Sequence, residues 1–220
     1  GQHFCHRLQR AGGPLDAETT YAYDALGNLT TVVQGGQTRT FEYDSLSRLK
    51  SATNPESGTT AYDYDPNGNL LKKTDARGIE THYTYDELNR VKTRTYVNDG
   101  TNTPTVTYVY DSPGVARGVG RLTAVVTNSQ IESQPATLSS TYFDAYDPLG
   151  RVISHRQVTN GDTYSTFASY NRAGAMTSLA YPSGRVIDYS FDAAGRLAGV
   201  TGTRPGGEPE VFVQPNSVSY

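Results

Sequence analysis

The sequence predicts an all-β fold of tandem antiparallel β-hairpins, about 21 residues each, that form a curved, spiralling sheet. Three observations lead to this prediction. A Tyr-Asp-x-x-Gly-(Asn/Arg)-Leu pattern recurs along the chain, apolar residues alternate ahead of each pattern, and a second break rich in Gly, Pro and Asn separates successive patterns. A fixed period of this length is the mark of a repeat protein, in which each unit packs against its neighbours.

The acidic or amide residue of the pattern sets the period. It stands at positions 24, 44, 65, 86, 111, 147, 171 and 192, so most steps are close to 21 residues and one is 36. The residues predicted to form the structural repeat motif are Tyr23, Asp24, Gly27, Tyr43, Asp44, Tyr64, Asp65, Gly68, Tyr85, Asp86, Tyr110, Asp111, Tyr146, Asp147, Gly150, Tyr170, Gly174, Phe191, Asp192 and Gly195.

Each pattern predicts a type I β-turn. Asp at the first position accepts hydrogen bonds from nearby backbone N–H groups, Pro suits the second position and Gly the fourth. Residues 65–68 and 147–150 meet all three preferences. A left-handed residue after a type I turn forms a bulge that lets the two strands continue as a hairpin, and a Cβ there costs roughly 1–2 kcal/mol. We therefore expect Gly68 and Gly150 to have positive φ.

The segment before each turn has the alternation of a strand. Thr81, Tyr83 and Tyr85 fall on one face, and Tyr62 with Tyr64 repeats this spacing. A second break, such as residues 35–36 or 160–161, closes each unit on its far side. Two ordinary strands and two short turns account for the period, so one repeat equals one hairpin.

One spacing does not fit simple alternation. After each turn, apolar residues often stand three apart, as in Leu29 and Val32 or Leu197 and Val200. This matches neither the two-residue period of a strand nor a helix over so short a run. Either a bulge after the turn or burial on both faces would produce it.

The repeats predict three parts of the chain. Residues 1–18 form a poorly ordered N-terminal segment, residues 19–202 form an array of about eight units, and residues 203–220 form a tail or the start of a further repeat. Two insertions, near residues 112–119 and 128–140, interrupt the period. Insertions in repeat proteins map to loops, and we expect loops at both places.

Composition excludes several classes of function. The net charge is −3 and the pI about 5.8, so no basic footprint for nucleic acid is present. No apolar run reaches the roughly 18 residues of a membrane span, and no signal peptide is visible in this fragment. Cys5 is the single cysteine, which excludes an intrachain disulfide. The 17 tyrosines supply aromatic side chains that favour strands.

The recurring carboxylates are interpreted as turn caps. Paired acids do perform glycoside hydrolysis, but a catalytic pair is needed once and not in every repeat. His3, Cys5 and His6 could ligate a metal but lack a fourth partner. We therefore predict no catalytic, cofactor or metal site and no enzymatic activity. The tyrosine rows could be sugar-stacking platforms, or they could be cross-strand packing between adjacent repeats.

The eight patterns in register resemble the YD-repeat, or Rhs-repeat, family, and the resemblance covers residues 19–202. This family includes the Rhs polymorphic toxins, wall-associated proteins of Gram-positive bacteria, the C components of insecticidal toxin complexes and the animal teneurins. The resemblance implies that the repeats form part of a hollow β-shell, which in toxin members holds a C-terminal toxin. Those members end in an Asp-Pro-x-Gly-Leu motif, whereas residues 147–150 are followed by Arg151 and Val152. The chain thus resembles a repeat-only fragment.

The resemblance sets the functional expectation. The chain is expected to be a structural segment of a shell that encapsulates or presents a toxin or effector. Its partners would be further repeats of the same polypeptide and a C-terminal toxin or effector segment. The alternative is a surface or secreted adhesion module whose partner is a carbohydrate. Either function implies a secreted or cell-surface protein, or one delivered by a secretion system.

Overall fold

The structure is a computed structural model that describes residues 3–5, 19–128 and 137–213. The chain forms two compact units, Gly1–Thr105 and Val106–Tyr220. Within the described ranges all regular structure is β, and consecutive strands in each unit pair antiparallel. The predicted all-β fold of successive hairpins is confirmed. The described residues contain no helix long and apolar enough to cross a membrane. Most of the predicted N-terminal segment, most of the second insertion and residues 214–220 lie outside the described ranges.

The first unit contains nine strands in its described residues, paired in chain order. They are β1 (His3–Cys5), β2 (Thr19–Tyr23), β3 (Leu29–Gln34), β4 (Gln37–Tyr43), β5 (Leu49–Asn54), β6 (Gly58–Tyr64), β7 (Leu70–Thr74), β8 (Glu80–Tyr85) and β9 (Val91–Val97).

The second unit is built in the same way. Its described strands are β10 (Thr105–Tyr110), β11 (Leu122–Asn128), β12 (Thr137–Tyr146), β13 (Val152–Thr159), β14 (Asp162–Tyr170), β15 (Met176–Ala180), β16 (Val186–Phe191), β17 (Leu197–Thr203) and β18 (Glu210–Val213).

A β-bulge follows the turn that carries the motif, and it explains the three-residue apolar spacing. Tyr23 pairs with Leu29 and Tyr21 pairs with Val32, with a register shift between them. The extra residue brings Leu29 and Val32 to the same face although they are three apart. The same shift occurs at Tyr43, Tyr64, Tyr85, Tyr170 and Phe191. Of the two explanations that the sequence left open, the structure selects the bulge.

The first insertion is a packed loop. Ala116 forms a parallel bridge with Ala145, and the backbone N–H of Tyr146 donates to the carbonyl of Ala116 at 3.0 Å. Most of the well-buried described residues lie in this second unit, where Tyr146 is 6% exposed. The buried described residues of the second unit are Val106, Thr123, Ala124, Ser140, Tyr146 and Asp147, together with Gly118, Gly199 and Gly202. The backbone of the inserted segment is therefore bonded to β12 and Gly118 is buried, whereas most of its other residues are exposed, Val119 to 81%.

Candidate functional site

The motif turn is the structural element that recurs along this chain, and residues 44–48 show its geometry. The N–H of Asp44 donates to the carbonyl of Arg48 at 2.9 Å, and the N–H of Ser47 donates to the carbonyl of Asp44 at 3.0 Å. The Asp44 side chain caps the turn: Oδ1 accepts from the N–H groups of Leu46 and Arg48, each at 2.9 Å. Oδ2 accepts from Nε of Arg48 at 2.7 Å. One carboxylate thus satisfies two backbone donors and fixes the side chain four residues later.

The same two backbone hydrogen bonds recur in both units. The motif turns that have them begin at Asp24, Asp44, Asp65, Asp86, Asp147, Asn171 and Asp192, and two far-side turns, at Asp75 and Tyr181, have the same bonds. The fourth residue of each turn is left-handed: φ is 91° at Gly68 and 82° at Gly150, which confirms the prediction for these two glycines. Ser47 and Asn89 have φ of 59° at the same position. Ser47 therefore forms a complete turn, although its Cβ makes the conformation less favourable than Gly would.

The turn after Asp111 keeps this closure despite its insertion. The N–H of Asp111 donates to the carbonyl of Arg121 at 3.1 Å, as Asp44 does to Arg48. Oδ1 of Asp111 accepts from the N–H of Gly120. The hairpin therefore keeps the first of the two turn hydrogen bonds, and the Asp111 side chain replaces its carbonyl as the acceptor of the second.

The arginine of the motif extends from its own turn to the next repeat. Nη1 of Arg48 donates to the carbonyl of Asp65 at 2.9 Å, and its guanidinium lies 4.9 Å from the centre of the Tyr64 ring. Arg151 does the same in the second unit, with 3.1 Å to the carbonyl of Asn171 and 4.6 Å to the Tyr170 ring. A planar guanidinium can stack on a ring and donate several hydrogen bonds at once, which a lysine could not reproduce.

The tyrosine of the motif points back to the preceding repeat. Oη of Tyr64 donates to the carbonyl of Leu49 at 3.0 Å, and Oη of Tyr85 donates to that of Leu70 at 2.8 Å. Tyr146 and Tyr170 bond to Leu122 and Val152 in the same way. Burial raises the pKa of Tyr64, Tyr85 and Tyr146, so these hydroxyls remain protonated donors at neutral pH. We call these arginine and tyrosine bonds the inter-repeat contacts.

The predicted motif residues thus do not come together in one site. They lie along the chain, where they connect each repeat to its neighbour. The motif Asp residues and the left-handed residues are held by their own turns, and Tyr64, Tyr85, Tyr146 and Tyr170 are held by the adjacent hairpin. The roles of the Asn or Arg and of the Leu that close the motif were not predicted from the sequence. Their recurrence four and five residues after the Asp was the available signal.

The hydrogen bonds of the turn lower the pKa values of the motif carboxyl groups. The backbone N–H of Arg48 is the main cause at Asp44, and the side chain of Asn28 is the main cause at Asp24. At Asp147, burial opposes ionisation, but the backbone and side chain of Arg151 outweigh it and lower the pKa. These groups are charged acceptors at neutral pH. A general acid needs the opposite shift, towards neutral pH.

We expect the free energy of unfolding to fall as the pH is lowered from about 5 to about 2. The pKa values of these carboxyls in the folded chain lie below the ordinary value of 3.8. The ionised carboxyls therefore stabilise the folded chain above pH 3.8, and this stabilisation is lost as the pH falls through their folded-state pKa values. Urea titrations across this range would measure the loss.

Hydrogen bonds from Thr103 lower the pKa of Asp99 to about 2, so the Asp99→Asn variant should lose less stability than the unmodified chain between pH 4 and 2. Stability that is constant over this range would contradict the prediction.

Other candidate groups have ordinary structural partners. His82 Nε2 lies 2.7 Å from Glu80 Oε2, and the His155 ring bonds to the Thr166 hydroxyl at 2.6 Å. Across the described residues no three His, Cys, Asp or Glu side chains are grouped so that they could hold a metal ion. The side chains of His3, Cys5 and His6 lie outside the described part of the chain.

Comparison with known proteins agrees with the motif. The RHS Repeat family model matches residues 64–101 and 170–208, one stretch in each unit. No curated protein is significantly similar in sequence. These matches confirm the resemblance to YD-repeat or Rhs-repeat proteins.

Several solved structures share the fold. The crystal structures of TcdB2-TccC3-Cdc42 and of TcdB2-TccC3 match with a TM-score of 0.60 at 15% identity over 91% of this chain. The Tc holotoxin pore of Photorhabdus luminescens matches with a TM-score of 0.59, also at 15% identity and 91% coverage. The chain spans 12–13% of the length of these structures. Together, the RHS matches and the shared fold support a structural role for the repeats.

Proposed function

We propose that this chain is a wall segment of an RHS-type β-shell, and that the shell encloses a toxin or effector segment of the same longer polypeptide. The observation that carries the proposal is that the motif side chains are used to join neighbouring repeats. Arg48 and Tyr64 bond across the β5–β6 pair, as Arg151 and Tyr170 do across β13–β14. A wall needs this kind of repeated contact between neighbouring hairpins.

The fold comparison supports the same proposal. One matching structure is a Tc holotoxin pore with a TccC3 mutation, and the two others are crystal structures of TcdB2-TccC3, one of them with Cdc42. By analogy, the repeats of this chain would surround a cargo segment, and the polypeptide would be secreted or delivered to its target. A single antiparallel sheet can serve as a wall because it can leave one face to solvent and the other to its contents.

The geometry also favours a non-catalytic role. Each motif Asp whose side-chain bonds are described here accepts bonds from its own turn, as Asp147 does from Leu149 and Arg151. Four motif tyrosines, Tyr64, Tyr85, Tyr146 and Tyr170, place their hydroxyls on the preceding repeat, and Arg48 and Arg151 stack on two of the rings. These rings are used for packing, which favours the wall over a sugar-stacking platform.

Limited proteolysis of the full-length polypeptide tests the proposal. The segment downstream of the repeats should be resistant in the intact protein and readily cleaved when it is expressed alone. The Tyr146→Ala variant, which weakens the repeats, should make that segment accessible at lower protease concentration, whereas Tyr164→Ala at an exposed position should not. Equal cleavage of the downstream segment in the intact protein and in isolation would rule out containment.

A further inference from the structure

A polar cleft in the first unit takes no part in the inter-repeat contacts. Its volume is about 390 Å³, which is within the range of small-ligand sites. Strands β7, β8 and β9 supply Lys73, Thr81 and Tyr96, the far-side turn supplies Asp75 and Arg77, and the loop after β9 supplies Asp99. All of these residues belong to one compact unit.

The floor of the cleft is a row of three polar side chains. Lys73 pairs directly with Thr81, and Thr81 pairs directly with Tyr96, so the three share one face. Residues paired in this way have Cβ atoms about 4.5–5.5 Å apart. All three are half-buried. Lys73 Nζ, Thr81 Oγ1 and Tyr96 Oη form no hydrogen bond or ion pair with any described residue.

The acceptors of the cleft are already occupied. Asp75 accepts from the N–H of Arg77 at 2.9 Å, from its Nη2 at 2.7 Å and from the N–H of Ile79 at 3.1 Å. Asp99 accepts from the N–H groups of Asn102 at 3.0 Å and Thr103 at 2.6 Å, and from Thr101. Of the free groups, the Lys73 ammonium can only donate and the two hydroxyls can donate, so a ligand that supplies acceptors would satisfy all three.

The charged lining residues balance, with Lys73 and Arg77 against Asp75 and Asp99, and Arg94 beside the cleft adds one positive charge. Arg94 stands two residues before Tyr96 on β9, with its guanidinium 5.5 Å from the centre of the Tyr96 ring. Nε of Arg94 is buried and has no hydrogen-bond partner among the described residues. Arg77 neutralises Asp75, whereas Lys73 has no carboxylate partner in the described chain. A hydrogen-bond acceptor with a negative charge suits these groups best.

We propose that this cleft binds a small molecule through an oxyanion, either a carboxylate or a phosphate. The Lys73 ammonium would supply the charge, the hydroxyls of Thr81 and Tyr96 would donate to the remaining oxygens, and the Tyr96 ring would support the body of the ligand. This binding site does not depend on the wall function, because none of the three residues makes an inter-repeat contact.

A titration with matched sugars tests the proposal and distinguishes the two anions. Glucuronate presents a carboxylate, glucose 6-phosphate a phosphate, and glucose neither. At about 0.15 M salt, NMR titration of the 220-residue chain should show saturable shifts of the Lys73, Thr81 and Tyr96 amides with at least one of the charged sugars and none with glucose. Shifts with neither charged sugar, or equal shifts with glucose, would overturn the proposal.

Two variants give an independent check. Lys73→Met should reduce the association constant of the bound sugar about tenfold or more, since it removes a charge-assisted hydrogen bond. Thr81→Val should give a smaller reduction, of roughly two- to tenfold, since it removes a neutral donor. Lys50 is exposed and stands outside the cleft, so Lys50→Met should leave the constant within about twofold. Equal reductions of the association constant for Lys73→Met and Lys50→Met would show that binding depends only on the overall charge of the chain. That result, or no reduction for either cleft variant, would reject the site.

Discussion

Replacing Tyr146 with Ala should lower the free energy of unfolding of the chain by about 3–5 kcal/mol. Tyr146 is 6% exposed, its hydroxyl bonds to the carbonyl of Leu122, and the Arg121 guanidinium lies 5.4 Å from the centre of its ring. The substitution would leave a cavity and remove the donor to a half-buried carbonyl. Denaturant titration followed by far-UV circular dichroism would measure the change.

Two further variants separate the loss of ring packing from the loss of the hydroxyl hydrogen bond. Tyr146→Phe keeps the ring and removes only the hydroxyl, so it should cost about 1 kcal/mol. Tyr164 is 48% exposed, and Tyr164→Ala should change stability by no more than about 0.5 kcal/mol. If Tyr146→Ala were no more harmful than Tyr164→Ala, the packing described around the insertion would be wrong.

The second large effect is expected at Gly150. Gly150→Val should cost about 2–3 kcal/mol, because a left-handed β-branched residue is strained and because the new Cβ would lie 2.6 Å from Nη2 of Arg121. Arg121 cannot move without loss, since it stacks on Tyr146 and its Nη1 donates to the carbonyl of Arg117 at 2.8 Å. Chemical denaturation would give the difference from the unmodified chain.

Gly68 provides a matched control for this variant. Its φ is 91°, but a Cβ there would meet nothing within 4 Å. Gly68→Val should therefore show only the backbone cost of about 1–2 kcal/mol. In an Arg121→Ala background the excess cost at Gly150 should disappear. Equal losses at the two glycines in the natural background would show that Arg121 does not restrict this turn.

Local chemistry explains what the sequence could predict. Asp65, Pro66 and Gly68 each prefer one position of a type I turn, so the turn, the positive φ of Gly68 and the hairpin that follows are visible without a structure. The three-residue spacing of Leu29 and Val32 signalled an irregularity, but spacing alone does not distinguish a bulge from burial on both faces. The paired register of Tyr23 with Leu29 was needed to decide.

Contacts that depend on register between distant residues were not predictable. Arg48 reaches Tyr64 and the carbonyl of Asp65 only because β5 and β6 pair as they do. The packing of the insertion on Ala145 depends on where the loop returns, and its sequence gives no indication of this. The polar row of the cleft likewise requires the pairing of Lys73 with Thr81 and Tyr96 across three strands.

The inter-repeat contacts also determine where the array tolerates changes in length. In each unit, the caps made by the motif Asp residues and the arginine and tyrosine bonds lie at the motif turns, and the hairpins are bonded to one another there. The opposite ends carry connections of unequal size, from two residues at 35–36 to the longer segment between β9 and β10. Strands of the second unit reach eight to ten residues at β12, β13 and β14, whereas β7 has five. Apart from the 112–119 loop, natural length polymorphism among such repeats should therefore accumulate at the far-side ends, where a hairpin can grow or shrink without separating its neighbours.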